Sequence, residues 1–398
     1  MNEWKECKLG DLVTSNNRSV GKDYPYQLIQ YLDTGSITGG EIDSLQEIDL
    51  KSAPSRAKRL VKKNDIVYST VRPIQRHFGY MTDPISNLVV STGFSVIEAN
   101  PVLAESLFIY YFLTSGETVE TLDVIAEGST SAYPSLKPSD IENLEISIPP
   151  LPEQKAIASV LSSLDDKIDL LHRQNTTLEA MAETLFRQWF VEEAQDDWDG
   201  CMLGKLANIK GGKRLPKGST LSEIPSLHPY IRTKDIHENK IKIKELLFVP
   251  EDVFPFISRY TVEQNDIIIS IVGTIGLCVI IPEELHLANL TENCAKIVNI
   301  KENVLDRFYL FYYLISSHGQ SEIEDRHVGS TQPKLPLYNI EKLQIPIPPP
   351  PKQKAFRSAV SSFNNKIQAN QLQIQKLEQL RDTLLPKLMK GEVRVNYE

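Results

Sequence analysis

The sequence predicts an α+β fold, in which two similar mixed α/β domains are joined by two long helices that form an antiparallel coiled coil. The first observation behind this prediction is an internal repeat, because segment 128–190 returns as 329–389 after about 200 residues. The second is a heptad spacing of apolar residues after each globular half. The third is a set of short alternating segments, typical of strands, inside both halves.

The repeat includes the start of each long segment and the front of each half. Segment Ile148–Ala156, with sequence IPPLPEQKA, returns as Ile347–Ala355, with sequence IPPPPKQKA. Segments Trp4–Gly10 and Trp198–Gly204 share their tryptophan, cysteine, leucine and glycine. Each half is therefore a domain of ordinary size followed by a helix. The predicted segments are a first domain, 1–150, a first helix, 151–197, a second domain, 198–349, and a second helix with a tail, 350–398.

Short elements are expected inside each domain. Residues Asp65–Ser69 and Leu144–Ile148 alternate as strands do, and Leu103–Leu113 and its repeat Val304–Leu314 have the pattern of helices. The longest apolar run, Ile267–Ile281, is interrupted by glycines and is too short to span a bilayer. We expect it to form two strands around a glycine turn.

Cysteine and histidine usage argues against a metal or disulfide framework. The four cysteines form no CxxC pair, and the seven histidines show no ligand spacing. No basic segment followed by an apolar stretch opens the sequence. We therefore expect a cytoplasmic protein without a membrane partner.

The two long segments have apolar residues at alternating steps of four and three, which predicts a coiled-coil seam. Each helix is expected to start at a proline, Pro152 or Pro351, since a first-turn residue needs no N–H partner. The first seam comprises Leu161, Leu164, Ile168, Leu171, Asn175, Leu178, Ala182, Leu185 and Trp189. The second comprises Phe356, Val360, Phe363, Ile367, Asn370, Ile374, Leu377, Arg381, Leu384 and Leu388.

The seam asparagines predict the orientation of the helices. Asn175 occupies an a position and Asn370 a d position, and antiparallel helices pair a with d. A parallel pair would bury each amide opposite an apolar residue, at about 1–3 kcal/mol each. Net charges of −7 for 151–200 and +5 for 351–398 also favour pairing between the two helices. The register sets Asn175 opposite Asn370, Ile168 opposite Leu377, Ala182 opposite Phe363, Trp189 opposite Phe356, and Leu164 opposite Arg381, which we expect to extend outward.

Antiparallel helices predict a rod with one domain at each end. About 39 helical residues span roughly 58 Å, close to 17 base pairs of DNA. Because Trp4 and Trp198 head equivalent blocks, the tail 391–395 is expected beside the N-terminus. The prediction is a closed, cyclic arrangement with pseudo-two-fold symmetry.

Basic residues cluster on an otherwise acidic chain. The net charge is −9, with −7 in 1–150 and 0 in 201–350. Such local clusters are typical of surfaces that meet a phosphate backbone, although the clusters taken alone favour a solvated surface. The first cluster comprises Lys51, Arg56, Lys58, Arg59, Lys62, Lys63, Arg72 and Arg76, and the second comprises Lys205, Lys210, Lys213, Arg214 and Lys217.

Several of these segments resemble the specificity subunits of type I restriction-modification systems, and the resemblance covers nearly the whole chain. It rests on Gly128-Ser129-Thr130 through Ile168, on Ala182 to Phe190, on Tyr68–Tyr80 and on Val90–Phe94. The resemblance implies two target-recognition domains that each read one half of a split sequence in double-stranded DNA. The helices would set the spacer between the halves.

The resemblance also implies partners. Two adenine methyltransferase subunits would dock on this scaffold and hold S-adenosylmethionine, and restriction-translocase subunits would bring ATP and Mg. The second domain departs from the pattern, since Ser270–Gly276 reads SIVGTIG where Ser69–Gln75 reads STVRPIQ. Its half of the target is therefore left unidentified.

Candidate DNA contacts follow from side-chain chemistry. Forked guanidinium groups and amides suit base edges, while hydroxyls and ammonium groups suit phosphates. Alternatively, Tyr68, Val71 and Phe78 are strand core, Arg59 is solvated, and Gly128-Ser129-Thr130 is a turn. The candidates of the first domain are Arg72, Gln75, Arg76 and His77 for bases, Ser69, Thr70 and Tyr80 for phosphates or bases, and Lys58, Arg59, Lys62 and Lys63 for phosphates. Those of the second domain are Lys213, Arg214, Arg232, Lys234 and Thr274.

No motif for catalysis is present. The sequence has no glycine-rich cofactor loop, no Asn/Asp-Pro-Pro-Tyr/Phe motif, no GxxxxGK[ST] motif and no Asp…Glu-x-Lys cluster. We therefore expect a non-catalytic subunit that binds no cofactor itself.

The alternative function is a two-headed coiled-coil adaptor that binds non-DNA partners. Steep salt dependence of binding would distinguish a DNA-binding protein from such an adaptor.

Overall fold

The computed structural model describes residues 4–128, 135–194, 198–329 and 333–396. Contacts divide the chain into a first unit, 1–171 with 371–398, and a second unit, 172–370. Each long helix is shared between the units. The predicted turn residues Ser129 and Thr130, and their repeats Ser330 and Thr331, lie outside the described residues.

The first unit contains two four-stranded sheets, ordered β6-β3-β10-β7 and β2-β11-β8-β9, and the strand pairs β1-β12 and β4-β5. Only β3 and β10 run parallel among these described strands. The strands are β1 Lys5–Lys8, β2 Val13–Ser15, β3 Leu28–Leu32, β4 Ile37–Thr38, β5 Glu41–Ile42, β6 Gln46–Asp49, β7 Ala57–Leu60, β8 Ile66–Ser69, β9 Phe78–Tyr80, β10 Leu88–Ser91, β11 Phe94–Ala99 and β12 Glu145–Ile148. The helices are α1 Ser106–Thr114, α2 Gly116–Glu127, α3 Pro138–Glu142 and α4 Leu151–Arg187, which continues into a π-helical turn, Gln188–Glu192.

The second unit repeats much of this plan. Its sheets are ordered β14-β22-β19-β20 and β18-β15-β21, with the pairs β13-β23 and β16-β17. The strands are β13 Gly200–Met202, β14 Asn208–Gly211, β15 Pro229–Ile231, β16 Ile236–His237, β17 Lys240–Ile241, β18 Leu247–Phe248, β19 Ile267–Ser270, β20 Cys278–Ile280, β21 Asn289–Leu290, β22 Cys294–Val298 and β23 Gln344–Pro346. The helices are α5 Phe254–Ile257, α6 Arg307–Ile315, α7 Ser317–Glu324, α8 Leu337–Glu341 and α9 Pro350–Met389.

The apolar run Ile267–Ile281 forms the hairpin expected of it. Strands β19 and β20 pair antiparallel, with Ile267 opposite Ile280, and all four residues of β19 are buried. The turn uses Gly273 and Gly276, whose φ angles of 83° and 89° lie in the left-handed region. Within the described part of the chain, no helix is long and apolar enough to cross a membrane.

The predicted helix bounds were close, with small corrections. Helices α4 and α9 begin one residue before Pro152 and Pro351, which therefore occupy the first turn. Helix α1 begins at Ser106 instead of Leu103, because the Leu103 amide already bonds Asn100 O in a turn. Helix α6 begins later than expected for a similar reason, and Asp306 caps it by accepting hydrogen bonds from two backbone amides.

A buried glutamine attaches the first turn of each long helix to the globular part of the unit that contains that turn. In the first unit, Gln154 Oε1 accepts from Glu105 N at 2.8 Å, and Gln154 Nε2 donates to Pro149 O and Leu103 O. In the second unit, Gln353 makes the same three bonds to the equivalent positions. These amides satisfy backbone groups that would otherwise be buried without partners.

The seam positions of α4 and α9 are buried or half-buried throughout. In the first unit, Ile168 and Leu171 pack with Ile374 and Leu377. In the second unit, Asn370 Nδ2 donates to Asn175 Oδ1 at 2.8 Å in a buried hydrogen bond. The rings of Trp189 and Phe356 lie 6.4 Å apart in the same unit.

Arg381 does not extend freely into solvent, which corrects the expectation for this seam position. Its Nη1 donates to Asp165 Oδ1 at 2.9 Å, and Asp165 Oδ2 accepts from the Tyr111 hydroxyl at 2.7 Å. The guanidinium therefore remains half-buried because the neighbouring carboxylate compensates its charge.

The tail of the first unit contacts the N-terminal block. Arg394 lies over the Trp4 ring at 5.6 Å, and its Nη2 donates to Glu153 Oε2 at 2.7 Å. The Glu153 side chain is fully buried. In the second unit, Lys352 replaces Glu153 and lies over the Trp198 ring at 5.5 Å, 3.7 Å from Glu193. The two equivalent junctions therefore use opposite charges.

Candidate nucleic-acid interface

The loop between β8 and β9, residues 70–77, carries most candidates of the first unit. Its backbone is fixed at several points, since Thr70 N and Oγ1 both donate to Gly93 O at 2.8 Å. Gly39 N donates to Arg76 O at 2.8 Å, and Ile74 N donates to Asp123 Oδ1 at 3.1 Å. Neighbouring strands and α2 thus hold the β8–β9 loop in one conformation.

Three of the exposed side chains of the β8–β9 loop are polar candidates. Arg72, Gln75 and Arg76 are exposed, while Pro73 between them is buried. Pro73–Gln75 form a single 3₁₀ turn, with Arg72 before it and Arg76 after it. Neither guanidinium makes an ion pair with any residue in the described ranges. These groups are therefore available to a ligand.

Other candidates in and beside this loop are buried or half-buried. Ser69 is 2% exposed, and its hydroxyl donates to Val71 O. Its assignment as a DNA contact is revised, because the side chain supports the loop from inside. His77 is half-buried, and its Nδ1 donates to Ile37 O at 2.6 Å. The Tyr80 hydroxyl bonds Ser106 Oγ at 2.8 Å, and burial raises the pKa of Tyr80.

The alternative that Tyr68, Val71 and Phe78 belong to the strand core is correct for Tyr68 and Phe78. The rings of Tyr68 and Phe78 are buried and stack with centroids 5.6 Å apart. Val71 lies beyond β8 and is partly exposed. Burial raises the pKa of Tyr68, so that its hydroxyl stays neutral.

The basic residues before β8 differ in their surroundings. Lys58 and Lys63 are exposed, while Lys62 forms an ion pair with Glu98. Arg59 is half-buried, which corrects the alternative that it is merely solvated. Burial lowers the pKa of Arg59, and its Nε has no hydrogen-bond partner in the part of the chain that the structure describes.

In the second unit, three of the five candidates line a surface groove. The β19–β20 loop, residues 271–277, forms one wall, and the segment after β15 forms another. The groove brings together Arg232, Lys234 and Thr274 from distant parts of the sequence. The lining residues are Tyr230, Arg232, Thr233, Lys234, Ile236, Val272, Gly273, Thr274, Leu277, Thr291 and Asn293.

The candidates of the second unit are not equally free. Arg232 binds Asp235 with two hydrogen bonds, from Nε at 2.8 Å and from Nη2 at 2.6 Å. Arg214 pairs with Glu292, and Lys213 lies 5.8 Å from the centre of the Tyr260 ring. Lys234 and Thr274 are exposed.

Sequence reasoning missed several polar residues that line the groove, above all Asn293, Thr291 and Tyr230. The repeat carried a signal for Asn293. Its carbonyl accepts from Ile271 N at 2.8 Å, as the Gly93 carbonyl accepts from Thr70 N. Aligning segment 90–94 with segment 290–294 would have placed Asn293 beside the β19–β20 loop.

Among the described residues, no group of three or more histidine, cysteine or acidic side chains is positioned to hold a metal ion. Cys278 and Cys294 are buried, which raises the pKa of both thiols. The arrangement offers hydrogen-bond donors and positive charge to a ligand.

Comparison with known proteins gives consistent matches. A family model described as the type I restriction modification DNA specificity domain matches residues 1–180 and again 195–379. The type I restriction enzyme HindI specificity subunit of Haemophilus influenzae is 25% identical over 470 residues, covering 99% of this chain and 100% of that protein. The MjaIX specificity subunit of Methanocaldococcus jannaschii is 29% identical over 371 residues, covering 88% and 82% respectively.

A solved structure shares the fold. The crystal structure of the type I restriction-modification system S subunit from M. genitalium superposes with a TM-score of 0.56 at 19% identity. The match covers 97% of this chain and 96% of that one.

Proposed function

The chain belongs to the type I restriction-modification DNA specificity family, and from this premise we propose that it recognises a bipartite, asymmetric DNA target. The observation that carries the proposal is the placement of the candidate residues. In each unit, a loop between two antiparallel core strands presents polar or basic side chains at the surface. The two loops differ in sequence, so the two half-sites differ.

Different residues would contact the bases and the phosphates of the DNA. Arg72, Gln75 and Arg76 offer donors to base edges, and exposed Lys58 and Lys63 offer charge to phosphates. In the second unit, the groove residues Lys234, Thr274 and Asn293 would make the corresponding contacts to DNA. Lys62 and Arg232 contribute less, because each is held by a carboxylate.

The subunit acts in this proposal as a non-catalytic scaffold. Two adenine methyltransferase subunits dock on it and supply S-adenosylmethionine, and restriction subunits supply ATP and Mg. The target adenine would be turned out of the duplex into the methyltransferase. In this proposal, antiparallel pairing of α4 and α9 would set the spacer, and the Asn175–Asn370 hydrogen bond supports that register.

Methylation mapping tests this function directly. The chain is co-expressed with its methyltransferase partner in a host without DNA methylation, and N6-methyladenine is mapped across the genome. We expect one split motif with a fixed spacer. Exchanging residues 1–150 for those of a relative should change one half of the motif only. An active methyltransferase that leaves no new methylation would contradict the proposal.

Salt dependence separates DNA binding from the adaptor alternative. Affinity of the complex for a duplex carrying the motif should fall steeply with salt, because bound phosphates release counterions. Lys58→Ala and Lys63→Ala should each reduce the slope by about one ion. The matched control is Lys5→Ala, an exposed lysine in β1, which should leave the slope unchanged. An affinity for a partner that does not change with salt concentration would favour the adaptor.

A further inference from the structure

Two arginines of the first unit have an unusual backbone conformation. Arg72 has a φ of 48° and Arg76 a φ of 57°, both in the left-handed region. This region is unfavourable for any residue with a Cβ. Arg72 is also followed by a proline, which normally holds the preceding residue in extended conformations. The β8–β9 loop therefore contains two strained positions, and both are arginine.

The second unit connects its equivalent strands without this strain. Its β19–β20 loop is one residue shorter, 271–277 against 70–77, and has Gly273 and Gly276 in the left-handed region. Glycine adopts this conformation without steric cost. Since one repeat connects these strands with glycines at its left-handed positions, the connection does not by itself require strained arginines. Strained residues that persist in this way often mark functional sites.

Arg72 and Arg76 are exposed on a loop whose backbone is anchored. The loop backbone is held by Gly93, Gly39 and Asp123, so both Cα positions are fixed before a ligand arrives. Both side chains are exposed, and neither is engaged by an acid among the described residues. A fixed backbone reduces the entropy that is lost when a guanidinium orders on its ligand.

Resting on the proposed function, we propose that Arg72 and Arg76 determine the specificity of the first half-site by reading guanine. Each guanidinium donates two parallel hydrogen bonds to O6 and N7 of a guanine in the major groove. The planar fork of arginine matches these two acceptors. The half-site of the first unit therefore contains at least two G·C pairs.

Phosphate binding is the competing role, and the observations favour base reading. Phosphate contacts tolerate flexible side chains, and exposed Lys58 and Lys63 are available for them in this unit. A strained, anchored loop instead gives the fixed position that a directional pair of hydrogen bonds needs. The second unit has no arginine in the equivalent loop, and Arg232 beside it is bound to Asp235.

The test replaces one acceptor atom of the DNA. Once methylation mapping has given the motif, each guanine of the first half is replaced in turn by 7-deazaguanine, which lacks N7 and still pairs with cytosine. At two positions, we expect the complex to lose about 2- to 12-fold in affinity, because N7 accepts one of the two bonds of a bidentate contact worth about 5- to 150-fold. Arg72→Gly should remove the sensitivity at one of these positions, and Arg76→Gly at the other.

Two controls keep the result interpretable. Lys63→Ala should weaken binding to the normal and the substituted duplex equally, because a phosphate contact does not sense N7. Arg72→Lys should not restore discrimination, since lysine lacks the fork. A half-site without two G·C pairs, or full sensitivity to 7-deazaguanine in both glycine variants, would overturn the inference. Failure of the wild-type complex to methylate any motif would instead contradict the proposed function.

Stability provides an independent readout. Arg72→Gly and Arg76→Gly relieve backbone strain, so each should raise the Tm of the purified complex by about 2 °C while reading is lost. The matched control is Arg56→Gly, an exposed arginine of the same unit with an ordinary φ, which should leave the Tm unchanged or lower it. A Tm that falls in both loop variants would show that the arginines serve the fold.

Discussion

Gln154 and Gln353 show how single buried side chains organise this molecule. Each glutamine satisfies one backbone N–H and two carbonyl groups at the place where a long helix leaves its domain. The repeat made both residues visible in the sequence, but nothing in their chemistry indicated burial. Polar residues at the ends of core strands raised the same difficulty, since Ser69 and Tyr80 point inward.

Replacing Gln353 should be costly. Gln353→Ala leaves the Asp306 amide and two carbonyl groups without partners, so we expect a loss of about 1–3 kcal/mol in unfolding free energy. Gln375→Ala, at an exposed position of the same helix, should change it by less than about 0.5 kcal/mol. Urea unfolding measures both, and equal effects would show that the amide is not structural.

Glu98 gives the first unit a pH-dependent contribution to stability. The hydrogen bond from Lys62, helped by the charge of Arg18, holds the pKa of Glu98 below its ordinary value despite partial burial. The stability from this pair is therefore present above the ordinary pKa of glutamate, about 4.3, and is lost as the pH falls through the lower folded value. The advantage of wild type over Glu98→Gln should thus shrink between pH 6 and roughly pH 3.

Urea titrations over this pH range measure that difference. Lys62→Met removes the main cause of the shift, so Glu98→Gln made in that background should show a weaker pH dependence. An advantage of wild type that stays constant with pH would contradict the assignment.

Among the secondary-structure elements, the long helices were the most predictable. Heptad spacing identified α4 and α9 as long helices, because one buried stripe on a helix leaves a clear period. The short strands were harder. All four residues of β10 are buried, so the alternation that reveals a half-exposed strand is missing, and the sheet around it was not foreseen.

The paired asparagines allow a test at this level. Asn175→Leu or Asn370→Leu alone leaves one amide buried without its partner, and each should cost about 1–3 kcal/mol of unfolding free energy. The double variant removes both polar groups and should be at least as stable as the better single variant. Urea unfolding of the four proteins gives the coupling. Additive losses would mean that the two amides do not depend on each other.

For the molecule as a whole, the duplication was evident from sequence, while the division into units was not. The repeat predicted two domains followed by helices, but contacts assign part of each helix to each unit. Such a division depends on long-range packing that a local pattern does not encode. The inverted charges of Glu153 with Arg394, and of Lys352 with Glu193, were likewise visible only once their partners were known.

The junction in the first unit should contribute measurably to stability. Arg394→Ala leaves the fully buried Glu153 carboxylate without its main partner, and we expect a loss of about 2 kcal/mol. Lys390→Ala is the matched control on the same segment, because its ion pair with Glu117 is exposed and worth little. Thermal unfolding distinguishes the two. Equal losses of stability in the two variants would indicate that the Glu153–Arg394 pair contributes no more than an exposed ion pair.

The division of the chain also bears on the order in which it folds during synthesis. The first unit includes residues 371–398, and Leu388 is 2% exposed within its apolar core. The ribosome makes the whole of the second unit before it reaches that leucine. At typical rates of about 5–20 residues per second, the core around Leu9 and Leu161 waits on the order of 10 seconds or more for its last segment. The unit that is translated first is thus the one that is completed last.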